Sequence, residues 1–299
     1  MKILFILLLF GFKYSSSYSQ QSTLKFITYN IWNGYDWGKD EERRANLSNW
    51  INEQEPSIVA LQELCKYTSE KLKDDASSWG HDFSVLLKTS GYSVGLTSKY
   101  PIEIKEKIME GMHHGALHCK TGGIDVFIIH FSPSSYIKRR EEAVIILEKL
   151  EKVRKETGQY IVLGDFNAQS PIDADLYDSK GPLLTKLRES NKDKPLKGNL
   201  FNGNLDYAVM SSLIAFPLID ICQPFTKGMA ERGSFPGQIL GKVNNESREE
   251  LLARSGRIDY IMASPDLATK CINAKVCNGK ENYYLSDHYP VVAEFEISK

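Results

Sequence analysis

The 299-residue sequence has no excess of charge of either sign, and no repeat or low-complexity block follows its first twenty residues. Its 37 Lys and Arg residues nearly balance 38 Asp and Glu residues. The overall charge therefore gives no reason to expect tight, sequence-blind binding to nucleic acid. No apolar run reaches the roughly 20 residues of a membrane-spanning helix. With 42% hydrophobic and 25% charged residues, the composition excludes a disordered, collagen-like or multi-span membrane protein.

Cysteine is scarce, and the number of cysteines is odd: Cys65, Cys119, Cys222, Cys271 and Cys277. None of their spacings is typical of a zinc site. The stretch between Cys271 and Cys277 predicts a strand, in which six positions span about 20 Å and exclude a disulfide. At least one thiol stays unpaired within the chain, and no disulfide is assigned.

The N-terminus differs from the rest of the chain. Lys2 precedes an apolar run from Ile3 to Phe12, and small residues lead to a cleavage site after Ser19. This pattern predicts a secretory signal peptide over residues 1–19 and one domain over residues 22–298. Removing Lys2 and Lys13 with no acid takes the formal charge from −1 to −3. We expect a secreted or periplasmic protein.

Short apolar strands alternate with helical segments along the remaining chain. Strands are predicted over residues 24–30, 58–61, 93–98, 124–130, 160–164, 258–262 and 291–297. One helix should begin at Asp40 and end near Pro56, and a second should cover residues 141–155 with an apolar face of Val144, Leu147, Leu150 and Val153. Short helices are expected over residues 183–190 and 248–254, inside a loop-rich stretch. The alternation predicts an α/β domain with layered sheets.

Polar residues that can perform chemistry stand at the ends of these strands. They are Asn30, Glu63, His130, Asp165, Asn167, Asp259, Asp287 and His288. If the strand ends lie together, these groups converge on one cleft. Carboxylate and amide oxygens suit Mg²⁺, with Mn²⁺ or Ca²⁺ as alternatives, rather than zinc. A hard dication beside a His–Asp pair suits hydrolysis of a phosphate ester by an activated water.

The same residues carry a family resemblance. The ordered blocks are Tyr29-Asn30, Gln62-Glu63, His130, Gly164-Asp165-Phe166-Asn167, Arg257-Ile258-Asp259-Tyr260 and Ser286-Asp287-His288-Tyr289-Pro290. This set resembles the endonuclease/exonuclease/phosphatase superfamily, and the segment Ser170 to Tyr177 resembles its secreted bacterial members. The superfamily includes DNase I, exonuclease III-type AP endonucleases, neutral sphingomyelinases and inositol-polyphosphate 5-phosphatases. The implied fold is a four-layer α/β sandwich of two mixed sheets packed face to face, with helices outside.

The resemblance also implies roles for the site residues. Glu63 binds the metal directly, with Asn30 and Asp287 beside it. Asp165 and Asn167 position the attacking water and the phosphate. His288, held by Asp259, acts as general base or polarises the phosphate, and His130 hydrogen-bonds the phosphate.

Other residues have both a structural and a functional interpretation. His114 either contacts phosphate or a metal, or belongs to a turn with surface histidines. Trp32 and Tyr136 stack on a substrate or anchor loops. Arg257 reaches a phosphate or braces a loop. The basic run from Lys138 to Arg140 is interpreted as a solvated helix face.

The substrate is a phosphate ester whose class stays open: nucleic acid, a lipid headgroup or a small molecule. Trp32 stands where AP endonucleases have an acid in the first block, and no apolar hairpin for membrane insertion is evident, as a sphingomyelinase would have. A DNase-like endonuclease and a sphingomyelinase-like hydrolase remain alternatives. A degenerate binding protein is the alternative outside enzymes. We expect a monomer with no obligate protein partner.

Overall fold

The computed structural model describes residues 21–178, 181–192 and 198–298, and the predicted signal segment lies outside them. The strands are β1 (Gln21–Asn30), β2 (Ile58–Gln62), β3 (Phe83–Leu86), β4 (Gly95–Ser98), β5 (Glu103–Ile108), β6 (Ala116–Thr121), β7 (Ile124–His130), β8 (Tyr160–Asp165), β9 (Leu200–Phe201), β10 (Asn204–Leu205), β11 (Ile219–Asp220), β12 (Asp259–Ala263), β13 (Cys271–Val276) and β14 (Val291–Ser298). The helices are α1 (Trp32–Gly38), α2 (Glu41–Glu53), α3 (Ser69–Ser78), α4 (Tyr136–Glu156), α5 (Pro182–Asn191), α6 (Ala208–Ala215), α7 (Gly228–Arg232), α8 (Ile239–Asn244), α9 (Arg248–Ala253) and α10 (Pro265–Ala268).

Two six-stranded mixed sheets carry the fold. The first has the order β13-β14-β1-β2-β4-β3, and the second has the order β11-β12-β8-β7-β6-β5. In the first sheet only β1 and β2 run parallel, and in the second only β7 and β8 do. Each parallel pair is joined through a helical connection, as a parallel crossover requires.

The two sheets pack face to face around a shared apolar core. Phe26 and Ile58 of the first sheet lie in one cluster with Val126 and Leu163 of the second. Helices α4 and α6 cover the outer face of the second sheet, and α1, α2 and α3 cover the outer face of the first. The four-layer sandwich expected from the resemblance is therefore the observed fold.

Helix α4 departs from its predicted apolar face. It begins at Tyr136 rather than Glu141, after Ser135 accepts a capping hydrogen bond from the Lys138 N–H. Val144, expected to be buried, is 54% exposed. The buried face instead includes Arg139 and Glu142. The predicted face is confirmed for Leu150 and Val153 and is wrong for Val144, because it counted apolar residues alone, whereas two charged side chains turn inward here.

Two findings concern cysteines and membranes. All five cysteines are free thiols, and the strand predicted between Cys271 and Cys277 is confirmed as β13. Among the helices the structure describes, none has the length and apolar character needed to cross a bilayer.

Candidate active site

The strand ends of both sheets meet at one edge of the sandwich. Asn30 is the last residue of β1, and Glu63 follows β2 directly. Asp165 ends β8 and pairs in register with His130 of β7 and with Asp259 of β12. Since parallel neighbours end at the same edge, the fold gathers side chains that lie far apart in the sequence.

Asn30 connects the two sheets at this edge. Its side chain is fully buried, and Nδ2 donates to Asp165 Oδ2 at 3.1 Å and to Glu63 Oε1 at 3.3 Å. Its Oδ1 accepts the Trp32 N–H at 3.1 Å. In this arrangement Asn30 orients two carboxylates, and its role as a direct metal ligand stays a prediction.

The segment after Asn30 winds in an unusual sense. Every residue of α1 has a positive φ, between 51° and 82°, so the helix is left-handed. L-residues disfavour this conformation by about 1–2 kcal/mol each, and Gly, Asn and Asp tolerate it best. At Gly34 a Cβ would collide with the backbone of Cys65. The winding turns the Asn33 N–H to Glu63 Oε2 at 2.7 Å, which fixes the orientation of that carboxylate.

Arg43 of α2 holds this segment in place. Its guanidinium is buried and donates to the carbonyls of Ile31, Leu285 and Trp32 at 2.8–3.1 Å. It also lies 5.2 Å from the Trp32 ring centroid. Trp32 therefore packs under a cation, which supports the loop-anchoring interpretation.

A His–Asp pair forms the second part of the site. His288 Nδ1 lies 2.9 Å from Asp259 Oδ2, and His288 Nε2 lies 3.8 Å from Asp165 Oδ2. Burial lowers the pKa of His288, but the carboxylates of Asp259, Asp287 and Asp165 outweigh it and hold the pKa well above the usual value. The imidazole is thus set to carry a proton on Nε2 while Nδ1 donates to Asp259.

Ser234 and Phe235 support this pair, and sequence reasoning missed both. The Ser234 hydroxyl accepts the N–H groups of Ile258 and Asp259 at 3.0 and 3.1 Å. The Phe235 ring centroid lies 4.9 Å from that of His288. Both residues fall in the stretch where periodic signals are weak, and nothing in the sequence there marks a contact with a strand 24 residues later.

The carboxylates at this edge are crowded. Burial and the Asp259 charge raise the pKa of Asp165, and burial with the Glu63 charge raises the pKa of Asp287 to about 6. Ligand atoms of Asp165, Asp259 and His288 lie within 4.8 Å of one another. Excess negative charge on hard oxygen donors fits a divalent cation such as Mg²⁺. Glu63 and Asp287, which both line the cleft, have the oxygen donors to hold it.

His130 and Asn167 complete the set of predicted residues. His130 Nε2 lies 3.5 Å from Asp165 Oδ2, and its Nδ1 is buried with no partner among the described residues. Asn167 donates from Nδ2 to the Phe131 carbonyl at 3.0 Å, and its N–H donates to Asp165 Oδ1 at 2.8 Å. His114, which is buried, stacks on His130 with ring centroids 4.2 Å apart. All eight predicted residues thus lie at this edge, with His114 behind them.

Arg257 braces the fold instead of reaching the cleft. It is 1% exposed. Its Nε pairs with Asp173 at 2.7 Å and its Nη2 with Asp220 at 2.6 Å. The backbone N–H of Arg257 donates to the Tyr177 hydroxyl at 3.1 Å. These contacts fix the entry into β12, and hence Asp259.

A cavity of about 340 Å³ adjoins these groups. Six of the eight site residues line it, all but Asn30 and Asp259. The other lining residues are Pro133, Arg139, Gln169, Leu183, Leu187, Asn199, Phe235, Gly256 and Ile258. Arg139 is 2% exposed, so the interpretation of residues 138–140 as a solvated face is wrong for this residue. Arg139 and Glu142 are three residues apart on the helix and so share its buried face.

Comparisons with known proteins agree with this geometry. The model of the Endonuclease/Exonuclease/phosphatase family matches residues 27–288. An AP endonuclease from Archaeoglobus fulgidus has a similar structure, with a TM-score of 0.64 and 19% identity over 92% of this chain and 100% of that one.

Two structures of Neisseria proteins are also similar, and each match covers 92% of this chain and 100% of the other chain. One is the 3′ phosphatase NExo bound to a product DNA hairpin, at 19% identity and a TM-score of 0.65. The other is the 3′-5′ exonuclease NExo from Neisseria meningitidis, at 20% identity and a TM-score of 0.63. No curated relative matches the sequence. At these identities the structural likeness establishes the fold.

Proposed function

The chain belongs to the Endonuclease/Exonuclease/phosphatase family, and on that premise we propose that it is an exported, divalent-metal-dependent phosphoesterase. Phosphate-ester cleavage is the activity class that the family describes. Metal dependence, export and the order of events are our proposal. The observation that carries the proposal is the convergence of Glu63, Asp165, Asp287 and the His288–Asp259 pair on one cleft.

Glu63 and Asp287 would hold the metal ion, with Asn30 orienting Glu63 through its 3.3 Å hydrogen bond. When bound, the ion would neutralise negative charge on the phosphate oxygens and on the leaving oxygen. The remaining steps use side chains of the protein. The arrangement of Asn33 and Asn30 around Glu63 keeps that carboxylate in one orientation.

Asp165 and Asn167 position the water and the phosphate. Two hydrogen bonds hold Asp165 in place, one from Asn30 and one from the Asn167 N–H, so that its carboxylate faces the cleft in a fixed direction. His288 exchanges a proton at Nε2, because Nδ1 is committed to Asp259. That proton goes to or comes from the water, or is held against a phosphate oxygen. His130 offers a hydrogen bond to the same phosphate.

Export rests on the N-terminal sequence. Residues 1–19 have the charged start, apolar run and small residues of a signal peptide. We therefore place the protein in a secreted or periplasmic compartment.

The experiment is hydrolysis of bis(4-nitrophenyl) phosphate and 4-nitrophenyl phosphate by the purified protein with Mg²⁺. We expect EDTA to abolish turnover, and Asp165→Ala or His288→Ala to lower kcat by about 10²–10⁴-fold each. The matched control is His118→Ala, which removes a second His–Asp pair with a 2.8 Å separation outside the cleft. A degenerate binding protein would hydrolyse neither ester, and a rate that survives EDTA would contradict the metal role.

A further inference from the structure

Arg139 is a buried cation that forms no ion pair with any described acid. Its hydrogen bonds to described residues all come from Nη1, to the Ser132 carbonyl and to Asn199 Oδ1, both at 2.8 Å. Within the described residues, no acid lies within 4 Å of its guanidinium, although Asp206, Glu142 and Asp165 act on it from further away. Burial lowers the pKa of Arg139 to about 10, so the side chain stays charged at neutral pH.

The free donors of Arg139 face the cavity. Nε and Nη2 donate to no described atom, and neither belongs to the fully buried unpartnered atoms. They are therefore accessible, and the accessible space that Arg139 lines is the 340 Å³ cavity beside His288. A charge buried without a partner is costly. An anion entering the cavity would complete its hydrogen bonding.

Part of the cavity lining is apolar. Leu183 and Leu187 of α5 line the cavity, as do Phe235 and Ile258. A volume of about 340 Å³ is at the lower end of the range for small-molecule sites, about 300–1,000 Å³. It suits one sugar- or nucleoside-sized group. Among the described lining residues, Arg139 is the sole Arg or Lys.

We propose that this cavity binds the organic group of a compact phosphate ester, and that Arg139 recognises a second anionic group carried by the same molecule. The substrate is thus a small ester with two acidic groups, one at the catalytic carboxylates and His288 and one at Arg139. This inference rests on the proposed function and names the substrate class for it. An oligonucleotide would instead need several cations along a groove.

The experiment compares adenosine 3′,5′-bisphosphate with adenosine 3′-monophosphate and adenosine 5′-monophosphate. Binding is measured by calorimetry with Mg²⁺ on the His288→Ala protein, where turnover is suppressed, and hydrolysis is measured on the protein that retains His288. We expect the bisphosphate to bind about 10- to 100-fold more tightly than either monophosphate, as one charge-assisted bidentate contact allows. Arg139→Gln should remove this preference, and Arg139→Lys should retain part of it.

Arg154→Gln is the matched control, because it removes a guanidinium from the last turn of the same helix, where Arg154 pairs with Glu151 at the surface. It should leave the preference unchanged. If Arg139→Gln weakens all three ligands equally, the residue is structural and the inference is overturned. Equal affinity for the three ligands, or a kcat/KM for a 20-nucleotide DNA that exceeds that for the bisphosphate, also overturns it. A retained binding preference with no hydrolysis of any ester would refute the proposed function and leave the Arg139 subsite standing.

Discussion

Replacing Asp259 with Asn tests the proposed role of the His288–Asp259 pair with little change of shape. The carboxylate is 3% exposed, lies 2.9 Å from His288 Nδ1 and sits opposite Asp165 in the strand register. An amide of the same size can still accept the Nδ1–H bond, but it no longer fixes the tautomer or stabilises the imidazolium. We expect kcat to fall by about 10²–10⁴-fold, which corresponds to about 3–5 kcal/mol on the barrier.

The fold should tolerate this change. Asp259 raises the pKa of Asp165 by repulsion, so removing its charge relieves a conflict between two buried acids. The assay is kcat for bis(4-nitrophenyl) phosphate together with the thermal unfolding midpoint, with Asp266→Asn as the control because Asp266 is exposed on α10, just after the same strand. A variant that unfolds at the parent temperature and retains kcat within about fivefold would refute the role of Asp259.

Two further predictions concern stability. Gly164 has a φ of 140°, and a Cβ there would collide with the Ile129 carbonyl, so Gly164→Ala should lower the free energy of unfolding by several kcal/mol, measured in urea. The ring nitrogens of His81 form hydrogen bonds with the Thr97 hydroxyl and the Pro56 carbonyl. Burial lowers the pKa of His81 to about 4. Because the unfolded chain takes up this proton near pH 6.5, stability should fall from pH 7 towards pH 4, by up to about 3 kcal/mol. His81→Gln should flatten that pH dependence, and an unchanged slope would contradict it.

Local patterns were sufficient to predict the strands that carry the site. Asn30, Glu63, Asp165 and Asp259 each border a short apolar run, and the family blocks fix their order. The strands predicted over residues 124–130 and 160–164 correspond to β7 and β8 almost residue for residue. These signals are strong because buried strands with polar ends leave a clear mark in a single sequence.

Features that depend on tertiary contacts could not be predicted from local sequence patterns. The left-handed α1 is supported by Arg43, which binds carbonyls of two segments far apart in the sequence, whereas local propensity favours the opposite hand. Ser234 supports Asp259 from a loop without periodicity. Arg139 lies in a basic run that looks solvated, and its burial depends on the position of Asn199 sixty residues later.

The hand of α1 has a consequence for the order in which the molecule matures. Five of its residues are non-glycine residues with positive φ, a conformational cost of about 5–10 kcal/mol, as large as the net stability of many domains. Such a segment is unstable on its own, because no interaction within it offsets this conformational cost. It forms only when the finished body of the protein holds it in place. The Asn33 N–H therefore reaches Glu63 only in the packed molecule, and the orientation of that carboxylate depends on tertiary structure.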